Sequence, residues 1–144
     1  MENKVIILGA GIGAMTMGFE NAGCSVVAAY EKDRRAIELY KKNISDEINE
    51  LDQLWASNLE DMPDIDILAC DFYRVFYRDL SIAGRKQKNA RDVNNVIKLI
   101  LDYRMPKIIC FFIPQACLKL KQFVQLLDDI NLSLIHISEP TRPI

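Results

Sequence analysis

The sequence predicts an α/β domain built on a parallel, doubly wound sheet. Three observations carry this. Short apolar runs recur at "KVIIL" (4–8), "SVVAAY" (25–30), "DIDILAC" (64–70) and "KIICFFI" (107–113). Continuous apolarity of this kind suits strands buried on both faces. Segments with helical spacing of apolar residues lie between these runs, and alternation of strand and helix implies a parallel sheet. A glycine-rich turn joins the first run to the first helical segment. In such sheets ligands bind beyond the carboxyl ends of the strands.

Each element has its own signal. Lys4–Leu8 ends at a glycine and reads as a buried strand. In the helical segment after it, Met15, Met17, Phe19 and Ala22 are apolar, and Gly23 is a C-terminal stop. Residues 25–30 form the second strand, which ends at Glu31. "KDRRAIELYKKN" (32–43) is a helix with Ala36, Ile37 and Tyr40 on one face and basic residues where the helix dipole favours them. Between Ile44 and Met62 the pattern is mixed, with a weak third strand near "EINELD". Pro63 then breaks the chain before the fourth strand at 64–70. Residues 71–91 read as a long polar, aromatic and basic loop. "DVNNVIKLILDY" (92–103) is a helix with Val93, Val96, Ile97, Leu99 and Ile100 apolar. A fifth strand (107–113) and a last helix (116–130) complete the pattern.

Composition narrows the function classes. A chain of 144 residues is one domain by size. Half of its residues are hydrophobic and 26% charged, a globular balance. The net charge of −2 gives no global argument for a nucleic-acid partner. Cys24, Cys70, Cys110 and Cys117 form no CxxC pair, so free thiols are expected and a metal site is not. No apolar run nears the ~20 residues of a membrane span. The first residues turn directly into a strand pattern, with no signal peptide, which makes the cytoplasm the default expectation.

The candidate site lies at the first turn. Gly9, Gly11, Gly13 and Ala14 stand where backbone must bend sharply or approach a ligand closely. The helix that follows offers unpaired N–H groups. Glu31 lies 18 residues beyond Gly13, a spacing that lets a carboxylate accept hydrogen bonds from a ribose. The combination points to an adenosine-containing ligand. It leaves NAD, FAD and S-adenosylmethionine open, and Gly9-x-Gly11-x-x-Ala14 satisfies the dinucleotide fingerprint.

The order "GAGIGAMTMGFENAGCSVVAAYEKD", "PDIDILA", "SIAGRKQ", then "MPK" before a strand resembles the DNA (cytosine-5) methyltransferase family, over Val5 to about Leu118. The resemblance implies a Rossmann-like S-adenosylmethionine-dependent methyltransferase fold, with the parallel sheet truncated after about five strands. It implies S-adenosylmethionine as cofactor and DNA as partner. By position, Ala10, Gly11, Ile12 and Gly13 would line the methionine part of the donor, with Gly9 and Lys32 beside them. Glu31 would hold the ribose hydroxyls, Asp52 would meet the adenine amino group, and Leu54 would flank the ring. Ile7, Gly9 and Ala14 depart from the family's usual aspartate, aromatic and glycine.

The same resemblance locates the chemistry. The family adds a cysteine thiolate to C6 of cytosine, so that C5 can attack the methyl group, and a glutamate holds the base. Aligned here, Arg74 takes the cysteine position and Phe112 the glutamate position. Arg74 stays protonated and is no nucleophile. Cys70 falls inside the strand register as a buried thiol. The expectation is a domain that binds the donor and does not methylate by itself, or a non-catalytic partner subunit of an active DNA methyltransferase; an NAD- or FAD-binding oxidoreductase domain is the third reading. The loop "FYRVFYR" (72–78) and the basic residues after it could face DNA, with Ser81, Arg85 and Lys86 as the DNA-binding candidates. The methyltransferase-like part spans 1–131, and the family's remaining strands and DNA-recognition part are expected to be missing beyond it. Residues 132–144, "LSLIHISEPTRPI" from its first leucine, resemble a translated sequencing adapter and are expected to be non-native. The sole histidine, His136, lies there and receives no role.

Overall fold

The computed structural model describes residues 2–51, 62–71, 97, 98, 100–102, 104–119 and 121–129. Among the described residues five strands form one parallel sheet: β1 (Lys4–Leu8), β2 (Ser25–Glu31), β3 (Asn49–Glu50), β4 (Ile67–Asp71) and β5 (Ile108–Phe112). Their order across the sheet is β3-β2-β1-β4-β5. The chain winds outward from β1 to β3, then returns to the other side of β1 for β4 and β5. The switch point therefore lies at the carboxyl ends of β1 and β4, where doubly wound sheets bind ligands.

β1 sits at the centre, which explains its unbroken apolar run: Val5, Ile6, Ile7 and Leu8 are all fully buried. Alternate side chains enter opposite cores. Val5 and Ile7 join Ala29, Ile37, Tyr40, Ile48, Ile67 and Ala69 on one face. Ile6 and Leu8 join Leu68, Cys70, Ile97, Ile100, Phe123 and Leu126 on the other. The molecule is thus layered helix–sheet–helix. α1 (Ala14–Asn21) and α2 (Arg34–Asn43) cover the first face. The helical residues between 97 and 104, and α3 (Lys121–Asp129), cover the second. Lys98 pairs with Asp129 across these two helical segments, and the Phe111 and Phe123 rings meet edge to face.

Most predicted elements appear in place, with trimmed ends. β3 is the two exposed residues Asn49 and Glu50 inside the expected "EINELD". The last helix divides into a 3-10 turn (Gln115–Lys119) and α3. α1 ends as expected. Gly23 adopts φ +85°, its N–H donates to the Glu20 carbonyl, and the Cys24 N–H donates to the Phe19 carbonyl. That pair of bonds is the Schellman arrangement, with the left-handed residue supplied by glycine. The apolar face of α1 is corrected, however. Met15 and Phe19 pack inward, but Met17 is 52% exposed and Ala22 is also exposed. Thr16 is buried instead. Its hydroxyl is satisfied by the Tyr40 hydroxyl at 3.0 Å, which removes the penalty for burying a polar group. Among the described residues no helix is long and apolar enough to cross a membrane.

Candidate functional site

The register of the sheet builds the site. Leu8 pairs with Tyr30 on one side and with Cys70 on the other. The next residue along β1 is Gly9, so the glycine turn emerges between the ends of β2 and β4. The N–H groups of Gly9 and Ala10 both donate to the Tyr30 carbonyl, at 2.8 and 3.0 Å. This pins the start of the turn to the last residues of β2.

Three glycines then take left-handed backbone: Gly9 at φ +80°, Gly11 at +60° and Gly13 at +110°. A side chain is strained at such angles. Gly13 has a second constraint, because a Cβ there would lie 2.2 Å from Cγ1 of Ile44. Gly13 caps α1 without a side-chain hydrogen bond. Ile12 projects outward, half exposed, while Ala10, Gly11 and Gly13 are buried.

Glu31 closes the arrangement. It is the last residue of β2 and only 1% exposed. Its Oε2 accepts the Gly11 N–H at 2.7 Å. Its Oε1 accepts the N–H groups of Lys32 at 2.9 Å and Asp33 at 3.1 Å. These are charge-assisted bonds, roughly twice as strong as neutral ones. Asp33 in turn caps α2, its carboxylate accepting from the N–H groups of Arg35 and Ala36. The turn and the acidic residue singled out by spacing are thus in direct contact.

Of the predicted site residues, the structure brings together Gly9, Ala10, Gly11, Ile12, Gly13, Glu31 and Lys32. Lys32 takes part through its backbone N–H. Asp52 and Leu54 lie outside the described residues, as do Ser81, Arg85, Lys86 and Arg74. Phe112 is described. It ends β5, half exposed, opposite Asp71 of β4. Cys70 is fully buried in the second core, and burial, reinforced by the nearby Asp71 charge, pushes its thiol far above the usual range. A thiol held protonated in this way is inert as a nucleophile. Among the described residues no three His, Cys, Asp or Glu side chains converge to hold a metal.

Sequence reasoning passed over four residues that shape the site. Tyr40 and Ile44 lie against Gly13 and Thr16 bonds Tyr40, placements that only tertiary contact reveals. Asp71 follows the Leu8–Cys70 pair and so ends β4 beside the turn. Its signal was available: an acidic residue directly after a buried apolar strand.

A parallel sheet with a glycine turn at the switch point, and a buried carboxylate at the end of the adjoining strand, defines a Rossmann-like domain. Solved structures share this fold. The Dnmt2 methyltransferase of S. pombe matches 90% of this chain and 41% of its own, at TM-score 0.63 and 18% identity. Precorrin 8w decarboxylase from Methanobacterium thermoautotrophicum matches 90% and 63%, at TM-score 0.58 and 20% identity. The family is fixed by sequence: the C-5 cytosine-specific DNA methylase profile matches residues 3–115, and the chain belongs to that family. Type II methyltransferase M.NgoBI of Neisseria gonorrhoeae is 36% identical over 86 residues, covering 57% of this chain and 24% of the relative. Type II methyltransferase M.HindV of Haemophilus influenzae is 43% identical over 49 residues, covering 34% and 16%. The matches with these two relatives therefore take in a quarter of their length or less.

Proposed function

We propose that this chain is the donor-binding portion of a DNA cytosine-5 methyltransferase, and that it does not transfer a methyl group by itself. The observation that carries the first part is the contact between Glu31 and Gly11, inside the segment matched by the family. The residues fit an adenosyl ligand. The Gly9–Gly13 turn presents backbone with little side-chain bulk at the switch point, and a buried carboxylate stands beside it. S-adenosylmethionine would lie over Gly9 to Gly13, with Glu31 accepting from the ribose hydroxyls. When bound, it supplies a methyl group on a sulfonium, electrophilic enough for transfer to carbon.

The second part rests on what stands at the other strand ends. Phe112 holds the position of the glutamate that would orient cytosine, and Arg74 that of the thiolate. The nearest described thiol, Cys70, faces the core. DNA is the macromolecular partner that the family implies, and the basic residues Arg85 and Lys86 with Ser81 are the residues proposed to meet it.

Calorimetric titration tests this reading. The intact chain should bind S-adenosylmethionine more tightly than NADH or FAD. Glu31→Ala should weaken that binding about tenfold or more, the scale of a lost hydrogen bond to a charged group. No labelled methyl group should reach cytosine in duplex DNA. Equal affinity in the Glu31→Ala chain would remove Glu31 from the site. Methyl transfer by the unmodified chain would overturn the assignment of Arg74 and Phe112.

A further inference from the structure

We infer that Glu31 is a positioning residue for the glycine turn: its carboxylate holds the turn in binding shape before any ligand arrives. This deepens the donor-binding reading and rests on it. A residue that served only as a ribose acceptor would turn its carboxylate oxygens to the ligand alone. Glu31 is instead built into the backbone on both sides. Oε2 takes the N–H of Gly11, twenty residues earlier, and Oε1 takes the N–H groups of Lys32 and Asp33. Gly11 is itself buried, so its N–H would be left without water if the carboxylate were removed. Buried amides tolerate that poorly.

The anchor extends further. Asp33 caps α2. Tyr40 near the end of α2 bonds Thr16 of α1, and Ile44, which follows α2, packs beneath Gly13. Glu31 therefore ties the middle of the turn to the start of α2, while the end of α2 supports the turn's last residue. Loss of the carboxylate should release the middle and leave the end in place. The effect on a ligand would be transmitted through Gly11, so it should reach parts of the donor that never touch Glu31.

Two measurements on the full chain test this. The first needs no ligand. Amide hydrogen exchange at Gly11 should be slow in the native chain. In Glu31→Gln the side chain keeps one acceptor oxygen and turns a second N–H donor toward the cluster. Exchange at Gly11 should then rise about ten- to a hundredfold, while Ile7 and Leu68 in the sheet change far less. Glu31→Asp, with the charge kept and the reach shortened, should give the same rise at Gly11. The second measurement compares S-adenosylhomocysteine with its 2′,3′-dideoxy analogue, which has no ribose hydroxyls for a carboxylate to accept. Glu31→Gln should weaken the dideoxy analogue as well, by about tenfold on the same scale.

Unaltered exchange at Gly11 in both variants would overturn the inference, as would an unaltered affinity for the dideoxy analogue. If neither variant folds, the native chain decides: Gly11 exchanging as fast as a free peptide refutes the anchor. A native chain that binds neither ligand while Gly11 is protected refutes donor binding and leaves the anchor standing, so the two failures are distinct.

Discussion

Gly13→Ala offers the most direct measure of how tightly the turn is built. Two costs can be read from the structure. The backbone at Gly13 has φ 110° and ψ 6°, and a side chain in left-handed backbone costs about 1–2 kcal/mol. The added Cβ would also lie 2.2 Å from Cγ1 and 2.8 Å from Cδ1 of Ile44, and 3.4 Å from Cδ2 of Tyr40. Overpacking of this kind costs about 1–3 kcal/mol. Ile44 is only partly buried, so it can yield some of that contact, and the clash belongs at the lower end. The expected loss is about 2–4 kcal/mol in all, which at this size lowers the melting temperature by about 5–15 °C. Urea denaturation followed by circular dichroism measures it. The Ile44→Ala background separates the two costs. With the clash removed, Gly13→Ala should cost only the backbone part, and the difference between the backgrounds is the coupling between the two sites. A loss below about 0.5 kcal/mol, the range of an ordinary surface change, would refute the reasoning. An equal loss in both backgrounds would refute the clash.

Two further outcomes concern titration and thiol access. Burial raises the ionisation of Tyr30, Tyr40 and Cys70 above their usual values near 10 for tyrosine and 9 for cysteine. The unfolded chain then releases these protons first. The stabilisation is complete below the unfolded values and is lost as pH rises toward the folded ones. Stability should therefore hold up to about pH 9 and fall above it, with Cys70 alone contributing a slope of about 1.4 kcal/mol per pH unit; denaturation midpoints from pH 8 to 11 that do not move would contradict this. In a maleimide labelling time course on the native chain, the partly buried Cys24 and Cys110 should react well before Cys70, which should wait for global unfolding. Labelling of Cys70 at the rate of Cys24 would show that it is not the core residue described here.

The legibility of the sequence followed burial. β1 was readable because it is central and apolar on both faces, and α2 because Ala36, Ile37 and Tyr40 define one buried stripe. β3 left almost no signal, since it is a two-residue edge strand with both side chains exposed. α1 misled because a periodicity argument ranks methionine above threonine. What reversed the order was a hydroxyl partner 24 residues away, which no local pattern contains. Within the site, the turn and Glu31 were legible from glycine spacing and a charge at a strand end. The bond from Glu31 back to Gly11 was not, because it depends on the β1–β2 register. That register carries an irregularity between Val5 and Ile6, and without it Glu31 would be offset by one residue from the turn.

The same register sets the glycine turn and Glu31 apart from the ends of β4 and β5. The turn follows β1 and Glu31 ends β2, whereas Phe112 ends β5 and Asp71 ends β4. These two pairs of strands meet through the β1–β4 ladder, whose last pair is Leu8 with Cys70, both fully buried. That contact is apolar packing and backbone bonding. The three N–H groups on Glu31 come from Gly11 in the turn and from Lys32 and Asp33 before α2. The bond that holds Gly11 to Glu31 thus lies on the β1–β2 side of the sheet. On the proposed function, donor affinity and methyl transfer should then be separable, and a substitution at Phe112 should leave the first unchanged.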